Sequence, residues 1–151
     1  MKTRVIIVLA TTLILSACTY YEDGPVLSFK SAKTRISGEW ELTDVIVNDK
    51  TDEIILNNEN DITYTFIENG CLIINNTDNT RSAKETLNAT WEFNKDKTTI
   101  IIDITDSTNG LSVIGHEMTI LRLTDDELWI IDEYSLKSES NYITERRYQK
   151  I

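Results

Sequence analysis

Proline, histidine and cysteine are all scarce in this chain. Of its 151 residues one is proline (Pro25), one histidine (His116) and two cysteine (Cys18 and Cys71). So few soft ligands form no His and Cys set for zinc, and no Ser-His-acid arrangement can be assembled around His116. The residue types therefore disfavour enzymatic hydrolysis; no catalytic residue, metal or cofactor is assigned. Basic charge is also in the minority, 15 Lys and Arg against 25 Asp and Glu, a formal charge of −10. A nucleic-acid partner is excluded on that ground, because binding a phosphate backbone needs a basic stripe that releases counterions. Long apolar runs are missing as well. The longest, Val5 to Leu15, has eleven residues, whereas a helix crossing a bilayer needs about 20.

What is present at the start is an address. Lys2 and Arg4 precede the apolar run, and small residues follow it where a signal peptidase cuts. Leu15-Ser16-Ala17-Cys18 resembles the lipobox of bacterial lipoproteins, in which the cysteine is acylated, with palmitate among its chains, and becomes the first residue of the mature protein. The resemblance implies a signal peptide over 1–17 and membrane attachment through Cys18. Buried acyl carbons contribute about 0.8 kcal/mol each, and several chains anchor durably. Removing residues 1–17 takes two of the 15 basic residues and no acid, which leaves 13 against 25 and a charge of −12. A domain so acidic is not drawn to anionic lipid by charge, so the acyl anchor is needed to hold it there. The remaining 134 of 151 residues suit one domain with a real core. Cys71, then the only thiol, lies in the apolar stretch Cys71-Leu72-Ile73-Ile74 and is expected as a small buried hydrophobe.

Residues 18–35 show no sustained period, carry Pro25 beside Gly24, and are expected to be a lipidated N-terminus and tether. Residues 36–151 form the folded domain. Short runs rich in Ile, Thr, Val, Tyr and Trp recur there, separated by Asn, Asp and Gly. The clearest alternation is Leu87, Ala89, Trp91 and Phe93, followed by the polar turn Asn94-Lys95-Asp96-Lys97 and by Ile100, Ile102 and Ile104. Eight strands are predicted: 36–47, 62–67, 71–75, 87–94, 98–105, 115–123, 127–134 and 142–150. That succession predicts an all-β fold, an eight-stranded antiparallel up-and-down barrel, with an open sandwich as the alternative. The connections 57–61 and 77–84 are polar and either overhang a barrel mouth or move freely. A short helix over 81–87 is weakly signalled. Asp132-Glu133 reads as a solvated strand face.

Gly38-Glu39-Trp40, opening the first strand, matches the G-x-W signature of the lipocalin superfamily, and Arg146 and Arg147 lie in the last strand. With Gly24 to Phe29, Trp91-Glu92-Phe93 and Leu123 to Trp129, the chain is similar to small lipocalin-like lipoproteins of Bacteroidota. The resemblance implies residence in the cell envelope at the outer membrane, and closure of one barrel end by Trp40 under an arginine, here Arg146. Alternation places Tyr142, Thr144, Arg146 and Tyr148 on one face of the last strand. Arg146 is then expected to stack on Trp40, or to grip a ligand carboxylate as the Arg-x-Tyr pair of fatty-acid-binding barrels does, or to point outward. The function expected is that of a membrane-anchored lipocalin-like lipoprotein binding a small hydrophobic ligand, with Tyr64, Phe66, Trp91, Arg146 and Tyr148 as contacts. Phe93, Ile102 and Met118 complete the expected wall. The alternative is a packed barrel that contacts another envelope protein, without ligand or catalysis.

Overall fold

The computed structural model describes residues 30–59, 61–76, 85–106, 111–132 and 143–151. The expected signal peptide, Cys18 and most of the expected tether lie outside the described residues. Within them the chain runs α1 (Ala32–Ile36), β1 (Gly38–Val47), β2 (Lys50–Thr51), α2 (Glu53–Glu59), β3 (Ile62–Phe66), β4 (Cys71–Asn76), β5 (Glu85–Phe93), β6 (Thr99–Asp106), β7 (Leu111–Leu123), β8 (Glu127–Asp132) and β9 (Thr144–Lys150). From β3 onward each strand pairs antiparallel with the next. Gly38 to Glu41 of β1 pair with β3, and Trp40 to Val47 pair with β9, which closes the sheet. The result is the expected eight-stranded up-and-down barrel, to which β2 adds a two-residue hairpin arm. Closure removes the free edges that would otherwise template pairing with other chains.

Alternation supplies the core. Ala89 and Trp91 are buried while Thr90 and Glu92, which alternate with them, are exposed, and Trp91 and Phe93 face Ile102 and Ile100 of the returning strand. The turn between those strands is held by its first residue. Asn94 Oδ1 accepts from the N–H of Thr98 at 2.9 Å and of Thr99 at 3.2 Å, and Lys97 takes a left-handed φ of 60°. Two of the three register shifts, between Leu42 and Asp44 and between Ile120 and Arg122, break strict alternation of the core residues. Each bulge keeps an apolar residue inside at an odd spacing, so Leu42 and Val45 are both buried, as are Ile120 and Leu123. Phase also decides Cys71. Leu72 is inside at 0 % exposure, so its neighbour faces out, and Cys71 is exposed, contrary to the expectation of burial. The four-residue apolar run hid the phase that separates the two.

One end of the barrel is sealed by α1, formed by residues 32–36 at the boundary assigned to the tether. Ser31 caps it, its Oγ accepting from the Thr34 N–H at 3.0 Å. Ala32 and Ile36, one helical turn apart, are its buried residues. Beneath them Trp40 is wholly buried and donates its indole N–H to the Ile36 carbonyl at 2.6 Å. The cation over Trp40 is Lys150, with Nζ 4.7 Å from the ring centre and bonded to the carbonyls of Arg35 (2.5 Å) and Ser37 (2.8 Å). Closure by Arg146 is thus corrected. Trp40 is the register partner of Lys150, while Arg146 sits opposite Val45, about 13 Å further along at 3.3 Å per residue. Gly38 fits the same arrangement: a Cβ there would lie 3.2 Å from Lys150 Cε, and its φ of +135° is one that side chains rarely adopt.

On the outer wall Trp129 is clasped between the guanidinium groups of Arg122 (4.9 Å) and Arg147 (4.0 Å), so β7, β8 and β9 share one cation–π stack. Arg122 also bonds Glu127 and Arg147 bonds Glu145, which neutralises that face locally.

Candidate functional site

The opposite end of the barrel carries the ionic groups. On β9, Thr144, Arg146, Tyr148 and Lys150 share the inward parity, so the phase that puts Lys150 over Trp40 puts Arg146 at the other mouth. On β8 the buried Leu128 and Ile130 set the parity that turns Asp132 inward, where the acidic pair Asp132-Glu133 alone suggested a solvated face. On β7 a bulge at Gly115 does the aiming. Its φ is +69°, its N–H donates to Asp103 Oδ1 at 2.6 Å, and His116 behind it pairs with the buried Ile102.

Across this mouth lies α2. Asp52 starts it, its Oδ1 accepting from the N–H groups of Ile54 (3.1 Å) and Ile55 (3.0 Å). Asn48 and Asp49, with φ of 50° and 63°, make the reversal between β1 and β2 that leads into the helix. Ile55 and Leu56 pack against the core without being buried. The last residue of α2, Glu59, meets Arg146 side by side: Nε to Oε2 at 2.7 Å and Nη2 to Oε1 at 3.0 Å. This two-pronged geometry is the strongest way a guanidinium holds a carboxylate. Nη1 of Arg146 is 3.7 Å from Asp132 Oδ2, and the same oxygen is 3.6 Å from His116 Nε2. Nη1 is buried and makes no hydrogen bond. Four charged or titratable side chains from α2, β7, β8 and β9 thus meet in one row.

Below the row stand two tyrosines, Tyr64 and Tyr148, edge to face at 5.7 Å and 87°. Two small voids flank the pair. The outer is lined by Leu42, Glu59, Ile62 and both tyrosines, and the inner by Trp40, Phe66, Met118, Leu128, Ile130 and both tyrosines. Each has room for about one water molecule. Of the expected ligand contacts, Tyr64, Phe66 and Tyr148 therefore line the inner void, and Arg146 stands above the outer one. Trp91 lines neither. It packs on Phe66 at 5.3 Å and Phe93 at 5.4 Å, donates to the Ile67 carbonyl at 3.0 Å, and lies beneath Lys33 of α1, which places it in the structural end of the core. Glu59, Asp132 and His116 were not among the expected site residues. The inward parity of Leu128 and Ile130 would have found Asp132; nothing local marks Glu59.

Electrostatics follow burial. The hydrogen-bonded Glu59 carboxylate raises Arg146 further above its ordinary value, against the opposing cost of burial, so the guanidinium stays charged. Burial pushes the Tyr148 hydroxyl well above the usual phenol range and raises Tyr64 too, with the charge of Arg146 opposing both shifts. Raised phenol values mean that the folded chain keeps protons that the unfolded chain releases near pH 10. Stability from these groups is present in full below about pH 10 and is lost as pH climbs beyond it. Lys150, lowered mainly by burial, acts in the opposite sense, adding stability as pH rises towards the usual lysine value. The urea midpoint is expected to fall above about pH 10, and less steeply in Tyr148→Phe. An unchanged slope in that variant would refute the assignment. No known protein family and no curated protein matches the chain.

Proposed function

We propose that the chain is a lipid-anchored, lipocalin-like barrel of the outer membrane that recognises a small, largely apolar ligand at the mouth covered by α2. One observation carries this reading: an inward-facing arginine held at a barrel mouth directly above an aromatic pair, with a small void on either side of that pair, the inner one apolar. Binding sites combine apolar walls with a few placed polar groups, and Arg146 with Tyr64 and Tyr148 fits that description. The anchor rests on Leu15-Ser16-Ala17-Cys18 and on the acidity of residues 18–151. Among the described residues no helix is long and apolar enough to cross a membrane; the proposed attachment runs through Cys18. The reading includes no catalytic step and no cofactor.

The smallness of the voids favours a second reading, a packed barrel that serves as an interaction or structural part of the envelope. One experiment separates them. The full chain, made in its host and extracted gently, is expected to incorporate labelled palmitate and to show an extra mass by native mass spectrometry that disappears on delipidating the barrel. Cys18→Ala is expected to lose the label and leave the membrane fraction. Continued sedimentation of that variant with membranes would sink the anchor. No extra mass, with no thermal shift from fatty acids, sterols or quinones, would leave the packed reading.

A further inference from the structure

On the proposal that this mouth binds a ligand, we infer that Glu59 is a resident carboxylate in the anion site of Arg146, that the ligand is an amphiphile with a single acid group, and that this group replaces Glu59 as α2 lifts away.

The geometry at Arg146 is that of an occupied acid site. Both prongs of the guanidinium already hold carboxylate oxygens, at 2.7 and 3.0 Å, and those oxygens come from the chain itself. Helix energetics do not account for an acid at this position. Glu59 is in the last turn of α2, at the negative end of the helix dipole, where an anion is unfavourable, and no basic residue shares that turn. What Glu59 gains there is Arg146. The helix is also lightly held: it contains no buried residue, and Ile54 is 76 % exposed. Elements with little buried apolar surface open at low cost, and lids are drawn from such elements.

Charge balance selects the ligand's head group. When α2 lifts, Arg146 keeps one acidic neighbour, Asp132 at 3.7 Å, and loses its two short bonds. A carboxylate from the ligand restores both bonds and the same net charge. An alcohol restores neither the charge nor the fork, and an amine places a second cation beside the first. The tail follows from the surroundings. Leu42 and Ile62 lie beneath Glu59, and Phe66, Met118, Leu128 and Ile130 lie beyond the tyrosine pair. With the interior so nearly filled, the tail is short, and its entry moves Tyr64 and Tyr148 as well as α2.

The test titrates the full-length protein with octanoate, octan-1-ol and octylamine, in wild type, Glu59→Gln and Glu59→Gln/Arg146→Gln. Glu59→Gln keeps the side-chain shape and removes the competing charge, so octanoate is expected to bind it about tenfold or more tightly than wild type. Octan-1-ol, which also needs α2 to lift but cannot take the two-pronged contact, is expected to gain less than octanoate, and the double variant to lose octanoate's advantage. In wild type, saturating octanoate is expected to speed hydrogen exchange of the amides of residues 53–59, which checks the lid without any substitution. Equal affinity for octanoate and octan-1-ol in every variant would overturn the acid site while leaving a ligand-binding barrel intact. Octanoate binding that ignores Glu59 and leaves residues 53–59 protected would overturn the replacement. Failure of all three probes to bind any variant would overturn the inference, and would reach the binding function itself only if the native protein also carried no extra mass.

Discussion

Trp40→Ala is expected to lower the stability of the barrel by about 3–5 kcal/mol, the range for deleting a large aromatic from a filled core. Three losses coincide at this position. The indole is completely buried, so its removal leaves a cavity among α1 and the ends of β1 and β9. The Ile36 carbonyl loses a donor at 2.6 Å and stays in a place water does not easily reach. Lys150, 4.7 Å above the ring, loses the π face that compensates part of its own burial. Trp40→Phe keeps most of the apolar area and gives up the hydrogen bond, so about 1–2 kcal/mol is expected there. Urea melts followed by far-UV circular dichroism measure both, since Trp91 and Trp129 complicate fluorescence. A Trp40→Ala protein within about 1 kcal/mol of wild type would mean that α1 and Lys150 do not seal this end.

The residues that made the barrel legible are those whose neighbours alternate. Leu87 to Phe93 and Ile100 to Ile104 state their phase openly, and the strands observed there differ from expectation only at their ends. Alternation on β9 likewise put Arg146 and Tyr148 on one face, correctly. Which residue of that face meets Trp40 is another kind of fact. It depends on the register between β1 and β9, residues about a hundred positions apart, and a family pattern supplied arginine where the register supplies Lys150. The helices escaped for opposite reasons. Five residues of α1 are too few to display a period, whereas α2 buries nothing and so has no apolar stripe to read. The connection 57–61, which overlaps the end of α2, was expected either to overhang a mouth or to move freely, and its helical part lies across the mouth. The ionic row is least legible of all, because Glu59 and Arg146 are 87 residues apart and meet only once the sheet has closed.

Arg146→Met is expected to destabilise the barrel by about 2–3 kcal/mol, and the loss should largely vanish when Glu59→Leu is added. Both side chains are partly buried, Arg146 at 18 % exposure and Glu59 at 31 %. Removing one partner of a fully buried pair costs about 3–5 kcal/mol, because the other charge is left without compensation. Water reaching Glu59 reduces that figure. Glu59→Leu alone should cost less than Arg146→Met, since Asp132 stays 3.7 Å from the guanidinium and Glu59 leaves an unfavourable helix end. With both replaced, no ion remains to desolvate at this pair, and Leu and Met add apolar area above Tyr64 and Tyr148. The double-mutant cycle in urea should therefore show a coupling of about 1–3 kcal/mol. Additive losses would mean that the two-pronged contact contributes nothing in solution, and the barrel mouth would then have no acid site for a ligand to take over.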